Sequence, residues 1–528
     1  MIRGDCMRRS LFWLLIIALV PGSAAHATWR EASSDHFIIY SEQNAKELLE
    51  FATGLERFDK SLRVLSSSPD WTPSPANRLT IFVVSRIGTV QKLLHARQSS
   101  IAGFYIGRAS GSIAIVPQST GGAEASGFDS YLVLQHEYAH HFMAQNFEDS
   151  YPAWFVEGFA EVASTSERQK DGSLKFGLPA SHRAYGLIVA APVPIEKLLS
   201  QSTLLFQDGS MSEAYYGRGW LLTHYLSFEG SRKGQLNDYL GRLTKGEDTL
   251  EAAKAAFGDL KQLNKDLNAY LRRRTMKYLN FPASMLPIGH VTVKEVDTGA
   301  DAIMDLQIQS RVGVTKEEAP AIALKERKIA VAFPDSAAVQ IALAEAELDA
   351  RNLTEAAKAA DRAVALDPKS GDALIFKGRV KMESAIAAKA TDSATWSDIR
   401  KSFVAANHIE PDDPEPLMLF YQSFQAQGKT PSANAVSGLM QALAMAPQDM
   451  QLRITAGYQL LVDGKVKEAR QTLVPVAFDP HGGKVAEDAR AVVIAMDKAG
   501  RDEALRLWNK LESEPEANDA PDRQPNHQ

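Results

Sequence analysis

Cysteine is almost missing: the 528 residues contain one, Cys6. It lies in the stretch read below as a cleaved leader, so the mature chain has no disulfide and no cysteine nucleophile. Any transition-metal site must then be built from histidine and carboxylates. Excess positive charge is missing as well. The net charge is −6, with no basic clusters of the kind that phosphate binding requires, which argues against nucleic acid as a partner. No apolar run is long enough to span a bilayer, because "LFWLLIIALV" has ten residues where about 20 are needed. Histidine is scarce, 12 of 528, so a local concentration of it carries information. What is left is ordinary: 45% hydrophobic and 23% charged residues, in a chain long enough for two or more domains.

Arg3, Arg8 and Arg9 precede that apolar run, and Pro21-Gly22 and "SAAHA" follow it. A basic region, a short apolar core and the small-residue site Ala25-His26-Ala27 form an export signal. Residues 1–27 are therefore expected to be removed, leaving no transmembrane segment in the mature protein. The expected compartment is periplasmic, with secretion as the other outcome.

From Thr28 to Pro287 strands come first and helices later, an α+β pattern. "HFIIYS" and "RLTIFVV" read as strands, and "AKELLEFATGLERFDKSLRVL" as an amphipathic helix. "GFYIGRASGSIAIVPQS" alternates, breaks at Arg108–Gly111 and alternates again, as in a hairpin that offers an edge strand. Ser119–Gly127 is Gly/Ser-rich and placed to act as a lid. Residues 288–298 read as a linker.

From residue 299 to 511 the text becomes Ala-rich helix pairs. Asp335 to Pro368 is one 34-residue unit, two helices hinged at Arg351-Asn352. Prolines recur at 334, 368, 411, 447 and 480, spaced by 34, 43, 36 and 33. A helix–turn–helix period near 34 with small residues at the contacts resembles tetratricopeptide (TPR) repeats, with an insertion in the unit carrying "AAKATDSATWSDIRK". The resemblance implies a solenoid whose concave face binds a protein partner or presents substrate. Residues 512–528 are polar and Pro-rich and read as a disordered tail.

The informative stretch is "YLVLQHEYAHHFMAQNFEDSYPAWFVEGFAEVAS", Tyr131 to Ser164. His136-Glu137-Tyr138-Ala139-His140 has the form H-E-x-x-H. Positions i and i+4 of a helix share a face, so both histidines can reach one ion. Phe128, Leu132, Ala139 and Met143 fall near the same face, so the ligands emerge from a buried side. Catalytic zinc takes three protein ligands and keeps a fourth position for water. Glu157 lies 17 positions after His140, enough for a helix to end, turn and return antiparallel. Gly158 and Ala160 are small, which lets the two helices approach closely. Glu161 stands one turn beyond Glu157 and can accept the spare ring N–H of a ligand histidine. His141 is turned away and reads as packing or surface. His36, His95, His182 and His224 read as isolated imidazoles, Trp154, Phe155 and Phe159 as core, and Arg218 as a surface or structural pairing residue, with Glu161 or a substrate carboxylate as the less favoured partner.

"HEYAH" followed by "WFVEGFAE" resembles the gluzincin zinc peptidases, the H-E-x-x-H…E group, over Trp29 to Leu279. That resemblance implies a zincin-like fold, Zn2+ held by His136, His140 and Glu157, and Glu137 as general base. "EAYYGRGWLLTHYL" is similar to a later helix of these peptidases in which a tyrosine faces the metal. Tyr216 matches it best and Tyr215 is the fallback. No G-x-M-E-N segment is present, which speaks against trimming of single residues. The His140-to-Glu157 separation is also too short for the TPR-bearing envelope peptidases whose third ligand lies far downstream. The expected whole is an exported zinc metallopeptidase, an endopeptidase, acting on peptide or protein substrates and fused to a TPR-like solenoid. A non-catalytic TPR scaffold and a zinc hydrolase of non-peptide amides are the alternatives.

Overall fold

The computed structural model describes residues 28–94, 103–118, 130–147, 151–200, 209–479, 482–513 and 526–527. The leader 1–27, His95, the proposed lid Ser119–Gly127, Phe128 and Pro480 lie outside the described residues.

The N-terminal part is built on a mixed sheet. β1 (Arg30–Ser33) and β2 (Phe37–Ser41) are followed by helix α1 (Ala45–Ser66), β3 (Leu79–Val84), the short α2 (Ile87–Leu93), β4 (Phe104–Ile106) and β5 (Ile113–Pro117). β2, β3 and β5 run parallel; β1 pairs antiparallel with β2, and β4 with β5. β3 is buried along its whole length because both sheet faces are covered. Leu79, Ile81 and Val83 face one core with Phe37, Ile39, Tyr105 and Ala114, and Phe82 and Val84 face another with Phe104, Ile113 and Ile115. The hairpin expected from Gly103 to Ser119 is β4–β5.

On the first face lie α1 and α3 (Ser130–Asn146), and α4 (Ala153–Ser164) packs against α3. A small antiparallel sheet follows, with β6 (Glu167–Arg168) and β7 (Leu174–Phe176). Then come α5 (Ile195–Leu199), α6 (Gly209–Phe228), α7 (Gln235–Thr244), α8 (Thr249–Phe257) and α9 (Leu260–Leu271). β8 (Leu279–Phe281) closes the small sheet against β7. No helix among the described residues is long and apolar enough to cross a membrane.

One expected boundary is corrected. The linker 288–298 contains β9 (Thr292–Glu295), which pairs antiparallel with β1 and so belongs to the large sheet. "TVKE" is mostly exposed, and its pairing partner is some 260 residues away, so no local pattern marks it. Of the expected tail 512–528, residues 514–525 and 528 lie outside the described residues. The last helix runs to Ser513, and Asn526–His527 pairs antiparallel with the outer side of β4. Backbone groups on an edge strand accept any extended segment without needing a side-chain signature.

The C-terminal part is a helical-repeat solenoid: α10 (Thr298–Val312), α11 (Ala319–Ala332), α12 (Ala337–Asp349), α13 (Leu353–Leu366), α14 (Gly371–Ala387), α15 (Ser393–Ile409), α16 (Pro414–Ala426), α17 (Ala433–Met445), α18 (Met450–Val462), α19 (Val466–Ala477), α20 (Gly483–Ala499) and α21 (Arg501–Ser513). Pro334, Pro368, Pro411 and Pro447 each stand just after a helix has ended, where the missing N–H costs nothing. The chain turns at Arg351, whose φ of 59° is left-handed. Small residues set the helix contacts: a Cβ on Gly378 would sit 2.4 Å from the Phe403 ring, and one on Gly457 2.6 Å from Leu473. The insertion lengthens α14 and α15 to 17 residues each. α10 seats the solenoid on the second sheet face through Met304, Ile308 and Val312.

Candidate metal centre

α3 presents two faces. Leu134, Tyr138, Ala139 and Phe142 fix it to the core, and His136 and His140 stand one turn apart on the side facing α4. α4 starts after Pro152, an N-cap without a donor to satisfy, and supplies Glu157 and Glu161. Nε2 of His136 and Nε2 of His140 are 2.9 Å apart, and each lies 3.5 Å from Oε2 of Glu157. A tetrahedral zinc with bonds of about 2.0–2.2 Å holds its ligand atoms about 3.3–3.6 Å apart. The two nitrogen-to-oxygen separations match that spacing and the nitrogen pair is closer, so the two rings would have to part slightly around an ion. Two imidazole nitrogens and one carboxylate oxygen are a donor set that fits zinc in chemistry. His136 and Glu157 are buried and His140 keeps 13% of its side chain exposed, so solvent reaches the site from the His140 side.

Glu161 lies 3.2 Å from Nδ1 of His136, which fixes the ring with Nε2 facing His140 and Glu157. Glu161 is fully buried, and a buried carboxylate needs cations and donors around it. Arg183 supplies both through a fork, Nη2 to Oε1 at 2.7 Å and Nε to Oε2 at 3.1 Å, and His182 adds Nε2 to Oε2 at 2.9 Å. Burial works to raise the Glu161 pKa, but Arg183, His136 and His182 outweigh it and hold the carboxyl well below the usual range. Burial likewise works to lower His136, and the hydrogen bonds and charges of Glu157 and Glu161 outweigh it, raising it to about 9.

His182 and Arg183 were not legible as parts of the site. They sit in a 3-10 turn, Ser181–Arg183, where no periodicity announces a side-chain direction. The only signal available was the need of a buried Glu161 for a cation. Arg218 makes the structural pairing expected of it and does not serve Glu161: it donates to Asn268 at 2.9 Å and Asn264 at 2.6 Å, tying α6 to α9. Helix geometry accounts for this, since Arg218 is two positions from Tyr216 and so is turned about 200° from it.

Tyr216 lies against the centre, its ring 6.5 Å from that of His136 in an edge-on contact, with the Arg183 guanidinium 4.7 Å from its centroid. Tyr215 is part of the main core. Burial first, then the charges of Glu157, Glu161 and Glu137, raise the Tyr216 pKa well above its usual value, so it is a neutral hydroxyl. Glu137 is buried beside His136.

Of the other histidines, His141 is packing, with Nδ1 2.7 Å from the Tyr105 hydroxyl. His224 meets Tyr270 and the Gly177 carbonyl, and His36 meets Glu56. Trp154, Phe155 and Phe159 are core.

The small residue Gly158 serves a different neighbour from the one expected. A Cβ there would lie 2.3 Å from Oγ1 of Thr223 and 2.5 Å from the Gly219 carbonyl. Gly158 therefore lets α4 approach α6, the helix that brings Tyr216, because it is on the face of α4 turned from α3. Gly158→Ala is expected to destabilise the fold by about 1–3 kcal/mol through overpacking, read as a lower urea midpoint. An unchanged midpoint would mean that the contact is loose.

No family model matches the chain, and no curated protein matches it. Among solved structures the chain is similar to a thermophilic TPR protein of Thermus thermophilus, at 15% identity and a TM-score of 0.29, over 41% of this chain and 100% of that one.

Proposed function

We propose that the protein is an exported zinc-dependent endopeptidase whose solenoid serves a protein partner or substrate. The observation that carries the reading is the convergence of His136, His140 and Glu157, with Glu161 held behind His136 by Arg183. The α/β sheet with two helices across one face resembles the zincin arrangement implied by "HEYAH" and "WFVEGFAE".

His136, His140 and Glu157 would hold the ion. Bound zinc supplies Lewis acidity and a water whose pKa falls from 15.7 to about 7. Glu137 takes a proton from the attacking water and passes it to the leaving amine, a contribution of about 10²–10⁴ in rate. Tyr216 donates its hydroxyl to the oxyanion that develops on the scissile carbonyl. An extended peptide would add as a strand on the outer side of β4, the side that pairs with Asn526–His527 in this structure.

Zinc content of the mature protein, measured with cleavage of casein, tests the reading. One zinc per chain with cleavage supports it. Zinc without cleavage leaves the non-peptide amide reading or a scaffold that only binds metal, and absence of zinc sinks the catalytic account. The twelve described solenoid helices would then be the working part, as a protein-binding scaffold. Tyr216→Phe is expected to lower kcat by about 10²–10³ with zinc retained, whereas Tyr215→Phe leaves kcat unchanged. The opposite pattern would reassign the oxyanion donor.

A further inference from the structure

The turn between β4 and β5 is gripped by the solenoid. Ala109 is buried in a cluster with Tyr421, Leu439, Ala442, Ala446 and Leu452. Its N–H donates to Oδ2 of Asp449 at 2.8 Å, and Nε2 of Gln448 donates to Oγ of Ser112 at 3.1 Å. Gly107 passes so close that a Cβ there would lie 2.5 Å from the Gln448 carbonyl. Arg108 donates to the carbonyls of Arg311 and Val312 at the end of α10. The preceding inter-repeat turn makes the same kind of contact, with Asn77 donating to the Asp412 carbonyl at 2.9 Å and the Ala76 N–H to Glu410 at 3.0 Å.

From this seam buried polar contacts lead to the metal helix. The Tyr105 hydroxyl, on β4, lies 3.5 Å from Oγ of Ser112 and 2.7 Å from Nδ1 of His141. His141 follows the ligand His140 directly. The same strand therefore carries the side on which a peptide would add, the hydrogen bond to α3 and, through its turn, the hold of the solenoid. Buried hydrogen bonds are costly to leave unmade.

We propose that the solenoid is a positioning part of the catalytic centre: Gln448 and Asp449 clamp the Gly107–Ser112 turn and, through Tyr105 and His141, set where β4 stands relative to the metal helix. This rests on the peptidase reading for its kinetic consequence only. The residues named position and do not touch the reacting atoms. A partner that shifts α17 against α18 would act on substrate binding by the same route, through discrete hydrogen bonds with no need for a change of fold.

Three variants test it in the full mature chain. Asp449 also caps α18, accepting from Leu452; Asp449→Asn keeps a good cap but its single amide oxygen can serve only one of the two N–H groups. Gly107→Ala pushes on the seam from the other side. Tyr105→Phe removes only the hydroxyl. Hydrogen exchange reads the coupling without reference to activity, and zinc affinity by chelator competition, with KM and kcat on casein, reads its effect. Each variant is expected to speed exchange in β4 and the second half of α3 by about tenfold, the size of one lost buried hydrogen bond. KM is expected to rise more than kcat falls. The double variant Asp449→Asn/Tyr105→Phe should do no more than the stronger single one, because both break one chain of contacts. Faster exchange confined to residues 107–112 and 446–449, with α3 and KM as in wild type, would overturn the proposal. So would strictly additive effects. If the protein binds no zinc and cleaves nothing, the peptidase reading fails, and the exchange result still decides the coupling.

Discussion

Glu137→Gln is expected to lower kcat by about 10²–10⁴, about 3–5 kcal/mol of barrier, while the protein keeps its zinc. Glu137 is buried next to His136 but its carboxylate is not among the three converging donor atoms, so its replacement leaves the proposed metal ligands intact. Glutamine matches its shape and removes only the ability to take a proton and return it. Three measurements on one preparation decide the matter: zinc per chain, casein turnover and the urea midpoint. Loss of zinc together with activity would make Glu137 part of the metal's support. Activity unchanged with zinc bound would remove it from the chemistry and leave the peptidase reading without its base.

The parts legible in the sequence are those in which chemistry and helical period coincide. His136 and His140 follow from a four-residue step on one helix, and Glu157 and Glu161 repeat that step on the returning helix. The repeat prolines mark helix ends because a proline cannot continue the ladder. Contacts between distant segments were not legible. Arg183 reaches Glu161 from an irregular turn, Gly158 fits Thr223 on a helix some 65 positions on, and β9 closes on β1 across some 260 residues. Each depends on how elements pack, which a local window does not contain. The seam at Ala109 and Asp449 is of the same kind. Alanine in a turn and aspartate at a helix start are ordinary by themselves, and become informative only once the two turns meet.

Arg183→Leu is expected to cost about 3–5 kcal/mol, the range for breaking a buried ion pair by removing one partner. The leucine removes both arms of the fork and leaves Glu161 fully buried with His136 and His182 as its remaining partners. Arg183→Lys should recover only part, since an ammonium cannot reproduce the two-pronged contact. The pH dependence follows from the sign of the shift. In the wild type the Glu161 pKa is depressed, so its contribution is present above the ordinary carboxyl range and is lost only as pH falls through the lower folded-state value. Without Arg183 burial dominates and the folded-state pKa moves up, so the variant is relieved as acid protonates the carboxyl. The deficit should therefore be largest near neutral pH and narrow toward about pH 4, the ordinary carboxyl range. Native-state hydrogen exchange of α4 amides, at fixed free zinc, measures the local opening free energy without requiring the solenoid to unfold with it. Arg183→Leu/Glu161→Gln should regain much of the loss at neutral pH, because the unpaired charge is gone, yet bind zinc more weakly, because His136 has lost the carboxylate that orients it. A deficit equal at every pH, and not relieved by Glu161→Gln, would assign Arg183 to packing against Tyr216 alone. Recovery with full zinc affinity would show that the hold on His136 comes from α3 itself.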